Sequence, residues 1–273
     1  MNLGRRWRQG RGGLVVGLLA LLLSACAGPG SMQGKEQTVP GGPILERYQS
    51  DQSARRKVAQ HWSADGVLDL ETPDQGRRNR IDLLGSGWER VRLRAYGPFQ
   101  QVAAELLARG DRVQWVNPDK RSVIEVPASA EGLRHLIGVP IPPERFFRMI
   151  MGQADTLVGE GPFPYEPNGV RVKTRDGEEL LLDPKRGVLW ERHGAALAGA
   201  PYRVVYTWPD PSDAGKEQPL MPSRILVTLE KPKVRLEFIF RAWRFPVAGP
   251  PEALFSQAKD AGFKVSRPLE ARP

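Results

Sequence analysis

Val234, Leu236, Phe238 and Phe240 put an apolar side chain at every second position, interleaved with Arg235 and Glu237, and Arg241 follows. The same period of two runs through Val91, Leu93 and Ala95 against Arg92 and Arg94. It recurs in Tyr202, Val204, Tyr206 and Trp208, and in Ile225, Val227 and Leu229. Successive side chains of a strand point to opposite faces, so this rhythm describes strands with one apolar and one wetted face. That is the antiparallel pattern; parallel strands, covered on both sides, read as unbroken apolar runs. Gly110-Asp111, Asn117-Pro118-Asp119, Asp176-Gly177, Asp183-Pro184 and Lys231-Pro232 supply turn chemistry between short apolar stretches at hairpin distance. The expectation is about 10–11 strands in an up-and-down order.

Two helical regions interrupt this pattern. Residues 44–62 read as an amphipathic helix, with Tyr48, Ala54, Val58 and Trp62 on one face and Arg55, Arg56 and Lys57 on the other. Ala130 to Ile137 reads as a short helix stopped by Pro140 and Pro142. Pro143 opens a second one through Phe146, Phe147, Met149, Ile150 and Met151 to Gly152. This second helix is apolar on most of its circumference, so it is expected against a sheet or over a cavity within one. The fold class is therefore α+β: an incomplete antiparallel β-barrel with an N-terminal helix and a helical lid covering an apolar interior.

The N-terminal segment is of another kind. Arg5, Arg6, Arg8 and Arg11 precede an apolar run from Leu14 to Leu23, and Ser24-Ala25 leads to Cys26, the one cysteine in 273 residues. A basic start, a short apolar stretch and small residues describe a secretory signal too short to span a bilayer. The order apolar–Ser–Ala–Cys resembles a bacterial lipobox, which implies that Cys26 is acylated and becomes the first residue of the mature chain. A lone cysteine in an oxidising compartment has no disulfide partner within the chain, which agrees. Residues 26–43, rich in Gly and Pro, read as a flexible tether. The chain then divides into a signal at 1–25, the acylated tether at 26–43, a half-barrel domain at 44–246 and an extension at 247–273 with a short helix from Glu252 to Ala261. Ala27 rather than Asp after the cysteine points, by the lipobox resemblance, to the outer membrane, with the folded part facing the periplasm. The formal charge of +9 falls to +5 without the four leader arginines. An exported chain with no recognisable binding motif is not expected to meet nucleic acid.

Three stretches carry a resemblance that runs in order from about Trp62 to Phe245. The first is Arg90-Val91-Arg92-Leu93-Arg94-Ala95-Tyr96-Gly97-Pro98-Phe99, a strand ending in a Pro-containing loop. The second is Gly138-Val139-Pro140-Ile141-Pro142 followed by the apolar helix. The third is Tyr202-Arg203-Val204-Val205-Tyr206, a polar loop, Met221-Pro222 and two closing strands ending near Trp243. Together, behind a lipobox, they resemble the LolB outer-membrane lipoprotein receptor family and its fold relatives among periplasmic lipoprotein carriers. The resemblance implies a cavity that receives the acyl chains of another lipoprotein, a periplasmic carrier as partner, and an exposed apolar residue after the proline of the first motif, here Phe99. An aromatic directly after a Gly-Pro turn and before Gln100-Gln101 also has little reason to be a strand core residue.

Val91, Leu93, Trp115, Phe146, Ile150, Val204, Tyr206, Ile225, Val227, Leu236 and Phe238 are the candidate acyl-chain wall, although a packed core would use the same residues. The expected activity is non-enzymatic: a monomeric lipoprotein that accepts acylated lipoproteins from a carrier and inserts them in the outer membrane. The alternative is an envelope assembly-accessory lipoprotein, or a binder of another lipid, on the same fold. The three histidines, His61, His135 and His193, are far apart in sequence, and no paired metal-ligand spacing or Gly-x-Ser-x-Gly elbow occurs. No catalytic residue, metal or cofactor is expected.

Overall fold

The computed structural model describes residues 41–73, 75–154, 157, 163–165, 169–196, 199–210, 219–231, 233–256 and 262–269. Cys26, the signal and most of the tether lie outside the described residues, as does most of the loop between Pro209 and Pro219. Helix α1 (Gly41–Val58) leads into β1 (His61–Thr72), β2 (Gln75–Ser86), β3 (Arg90–Tyr96), β4 (Val102–Arg109), β5 (Arg112–Asn117) and β6 (Ser122–Pro127). Helices α2 (Ala130–Ile137) and α3 (Pro143–Ile150) follow. Then come β7 (Phe163–Tyr165), β8 (Gly169–Lys173), β9 (Glu179–Leu182), β10 (Leu189–Ala195), β11 (Pro201–Thr207), β12 (Arg224–Leu229) and β13 (Val234–Arg244). A 3-10 turn at Glu252–Phe255 and β14 (Lys264–Ser266) close the chain.

All of these strands belong to one sheet in the order β14-β6-β5-β4-β3-β2-β1-β13-β12-β11-β10-β9-β8-β7. Every neighbouring pair is antiparallel except β14 with β6. Strands β1–β6 and β7–β13 are each a meander, and β1 closes onto β13 through Leu68↔Phe238 and Leu70↔Leu236. The two ends of the sheet, β7 and the β6 edge with β14 added to it, are not paired with each other, and the chain inserts α2 and α3 between β6 and β7. The sheet is thus an up-and-down cylinder left open at a seam, as the alternation leads one to expect. It bends where β1 slips register between Asp65 and Gly66. There a Cβ on Gly66 would fall 2.2 Å from the carbonyl oxygen of Ile239, so only glycine lets the two strands approach.

Three expectations are corrected. The sheet has fourteen described strands rather than ten or eleven; the additional ones include three-residue β7 and β14, too short to show alternation. Helix α1 ends at Val58, and Trp62 is the second residue of β1 rather than part of the helix. The buried stripe at this end is Ile44, Tyr48, Gln52, Arg55 and Ala59, so Arg55 is fully buried while Ala54 is exposed. Positions 44, 48, 52, 55 and 59 follow helical periodicity, but two are polar, and a reading weighted by apolarity turned the helix by one residue.

The extension is also more than a helix. Its Glu252–Phe255 turn buries Phe255, Arg92 donates to the Leu254 carbonyl at 3.0 Å, and Arg90 pairs with Glu252 at 2.6 Å. Phe263 covers a small outer cluster of Leu107, Val116 and Val123, and β14 adds to the edge of β6 through Val265↔Val123. The tail straps the outer face of β3–β6. Residues 257–261 of the expected helix lie outside the described residues.

Helix α2 has the expected boundaries, and α3 starts at Pro143 as expected but ends at Ile150, two residues before Gly152. Ser129 caps α2 by accepting from the Gly132 amide at 3.1 Å, and Gly138 ends it in the left-handed conformation. Helix α3 buries Phe146, Phe147, Met149 and Ile150, with Met151 beyond them.

Candidate functional site

The eleven candidate wall residues face one another inside the cylinder. Val91 and Leu93 on β3 look across to Ala108 and Leu106 of β4, and Leu106 leads to Trp115. On the other meander Val204, Val227 and Leu236 form one cross-strand row, and Tyr206, Ile225 and Phe238 the next. Phe146 and Ile150 enter from α3, Phe146 tilting on Phe238 with ring centroids 6.2 Å apart. All eleven belong to, or pack against, one hydrophobic cluster; ten are buried and Trp115 is partly so. The interior is filled by α3. Clefts among the described residues lie beside the C-terminal strap, at the β12–β13 tip and beside α1, and none of the eleven lines them.

Phe99 is 90% exposed. Its turn is nonetheless fixed: Gly97 donates to the Gln101 carbonyl at 2.9 Å, Gln100 to the Gly97 carbonyl at 3.1 Å, and the Phe99 amide to Oε1 of Gln101 at 3.0 Å. Gln100 holds φ at +62°, a conformation that side chains other than glycine adopt at a cost. The antiparallel register puts this turn at the same end of the cylinder as the tips of β1–β2, β5–β6, β8–β9 and β12–β13. Those tips expose Arg77, Arg78 and Arg80, then Lys120 and Arg121, then Lys173 and Arg175, and finally Lys231 and Lys233. Arg80 leans over the Tyr96 ring at 5.6 Å, and no ion pair engages any of the nine among the described residues. The Phe99 end is one apolar residue within a basic collar.

A group of charged residues that the sequence analysis passed over lies within the cylinder on the β9–β11 side. Register pairs Arg192 of β10 with Val204 of β11, so Arg192 faces inward and is 1% exposed. Glu178, with no exposed surface, accepts from Arg192, from Arg145 of α3 and from the Tyr202 hydroxyl. Arg192 also donates to the Gln153 carbonyl at 2.9 Å. Burial works against the charge of Arg192, but Tyr202, Tyr206 and Glu178 more than offset it and hold its pKa above the ordinary arginine value. Burial pushes the Tyr202 hydroxyl up to about 12, with Arg192 acting in the opposite sense. Nothing in the spacing of Leu189-Trp190-Glu191-Arg192-His193 marks this. The register shift at Leu189/Glu191 breaks the alternation that would have shown Arg192 pointing in.

A second polar group adjoins it under α1. Gln52 donates through Nε2 to the Tyr48 hydroxyl and to the Gly152 carbonyl, both at 2.8 Å. Arg55 donates to the Leu220 carbonyl at 3.1 Å and lies over the Trp208 ring at 4.9 Å. Burial lowers the pKa of Arg55 and pushes the Tyr48 hydroxyl up to about 12. Of the histidines, His193 meets Glu191 at 2.5 Å on the outer face and His61 lies against Gly249. Among the described residues no group of three His, Cys, Asp or Glu could hold a metal ion, and no helix is long and apolar enough to cross a membrane.

Among solved structures, the fold is similar to that of a LolA superfamily protein from Nitrosomonas europaea. The TM-score is 0.50 at 11% identity, covering 80% of this chain and 97% of that one. This chain has a LolA-like open-barrel fold. It is similar likewise to an outer membrane lipoprotein-sorting protein domain from Vibrio parahaemolyticus, with a TM-score of 0.52, 11% identity, and coverage of 79% and 97%. At such identities the likeness is one of fold, and it does not single out LolB receptors. No family model and no curated protein matches the chain.

Proposed function

We propose that the chain is an envelope lipoprotein, anchored through Cys26 to the periplasmic face of the outer membrane. It accepts acylated lipoproteins from a periplasmic carrier in its half-barrel and releases them into the bilayer without covalent chemistry. Phe99 carries this reading: an aromatic 90% exposed, on a turn whose backbone is held by hydrogen bonds. Burying such a side chain is worth about 1.5–3 kcal/mol, which a lipid surface would supply, since no described residue covers it. A collar of nine basic residues around it, none in an ion pair among the described residues, favours an anionic lipid surface, at about 1 kcal/mol for each one near the headgroups.

The filled interior supports a particular form of acceptance. Acyl chains would take the volume that the α3 side chains Phe146, Met149 and Ile150 occupy, so the helix is a stopper that moves aside rather than a lid above a standing void. The unbranched, polarizable side chains of Met149 and Met151 repack readily around variable shapes. The Gly138-Val139-Pro140 and Gly152 junctions are where such a swing would hinge.

The test separates acceptance from delivery. Phe99→Glu is expected to take cargo from a carrier as the unmodified protein does. It should deliver that cargo to anionic vesicles about tenfold to a hundredfold less well, the equivalent of the lost apolar burial. Undiminished delivery by Phe99→Glu would overturn the membrane role of Phe99.

A further inference from the structure

The polar group under α1 contains more donors than the protein uses. Arg55 has no exposed surface, yet Nε and Nη2 of its guanidinium have no hydrogen-bond partner. Nε of Arg192 is in the same state, and so is the whole side-chain amide of Gln153, itself 1% exposed. The acceptors left over are Oε1 of Gln52 and Oε1 of Gln153. These residues are contiguous: the Tyr48 hydroxyl lies within electrostatic reach of both Arg55 and Arg192, Gln52 bonds Tyr48 and Gly152, and Gln153 follows Gly152 and receives Arg192 on its carbonyl.

Charge points the same way as hydrogen bonding. Glu178 is the one fully buried carboxylate of the group, and Arg145 and Arg192 already occupy it. Asp51, half-buried one turn before Arg55, acts on it only at a distance: each favours the other's charge, without an ion pair among the described residues. A buried guanidinium stays protonated and is costly without an anion beside it. On the solvent side of Tyr48 and Gln52 lies a cleft of about 200 Å³ bounded also by Arg56, Ala154 and Leu157, with Arg55 buried behind those two side chains rather than in its wall. Tyr48 and Gln52 belong to both the cleft and the buried group. Its volume is below that of sites enclosing a whole drug-sized ligand, and suits a head group with a few methylenes against Ala154 and Leu157.

We propose that this chamber binds the anionic head group, carboxylate or phosphate, of an acyl-chain amphiphile, with Arg55 as its principal donor. This rests on the acyl-handling reading above and adds a charge requirement to it. The anion would accept from Nε and Nη2 of Arg55 in the two-pronged geometry that guanidinium offers, and from the Gln153 amide, while its chain leaves along Leu157.

The test is calorimetric titration of the secreted Cys26→Ala protein with decanoate, decyl phosphate, decanol and inorganic phosphate. At least one of the two anionic amphiphiles should bind tenfold or more tightly than decanol, and the better of the two identifies carboxylate or phosphate as the head group. That preference should fall below threefold in Arg55→Met. Equal binding of decanoate, decyl phosphate and decanol by the unmodified protein would overturn the anion chamber, leave acyl binding intact, and require no variant to fold. Persistence of the full preference in Arg55→Met would overturn the role of Arg55. Binding of inorganic phosphate alone would overturn the amphiphile and the acyl-handling reading together, as would binding of none of the four.

Discussion

Glu178 is where a single side chain does most to tie α3 to the β7–β13 meander. Its carboxylate has no exposed surface and joins Arg145 on α3, Arg192 on β10 and Tyr202 on β11. Removing one member of such a buried set leaves the others charged in a low dielectric, which typically costs about 3–5 kcal/mol. Glu178→Gln is therefore expected to lower unfolding free energy by about that amount in urea titrations, and a loss below about 1 kcal/mol would show that the group is well solvated. Residues like these were the least legible from sequence. Arg192 and Arg55 carry the same formula as the solvated arginines on either side of them, and only register and helix phase turn them inward. Phe99 was legible because a Gly-Pro turn fixes its surroundings locally.

At the scale of elements, α3 and the C-terminal strap make opposite cases. Helix α3 declares itself: Pro143 starts it, and its Phe and Met residues leave almost no face for water. What the sequence could not express is that its side chains join one packed cluster with the strands, since a wall and a packed core use the same side chains. Phe146→Ala should destabilise the fold by about 3–5 kcal/mol, read from thermal or urea unfolding; a near-neutral effect would mean that the interior is already loosely packed.

The strap, in contrast, has little periodicity. Phe255 and Phe263 find partners on the outer face of the sheet that no local pattern announces. Arg267 reaches Glu125 of β6 at 2.8 Å. A hydrogen bond from Gln114, together with Arg267, holds the Glu125 carboxyl below its ordinary value of 4.5. A carboxylate whose pKa is lower folded than unfolded stabilises above the unfolded value, and that contribution disappears as pH falls through the folded one. Protection of β14 amides from hydrogen exchange should thus hold at pH 6 and decline below about pH 4.5. Glu125→Gln should make it independent of pH in that range, and an unchanged pH dependence in that variant would assign the effect elsewhere.

For the whole molecule, alternation and turn residues were enough to give a curled antiparallel sheet with a helical interlude, because each hairpin is a local decision. The closure of β1 on β13 joins residues more than 160 positions apart, such as Leu68 and Phe238, and the seam between β6 and β7 follows from that closure. This topology sets an apolar interior packed against α3, a basic end bearing Phe99, and a group of buried arginines beside α1. A receptor for acylated cargo needs the first two, and affinity must stay moderate so that cargo can leave.

The most direct test loads a purified periplasmic carrier with an acylated lipoprotein and mixes it with the secreted Cys26→Ala form of this chain. Each component is then captured separately to find the cargo. The account predicts that acylated cargo moves to this protein while the same lipoprotein without acyl chains does not. Cargo that remains on the carrier would contradict the receptor role and leave the open-barrel fold without it.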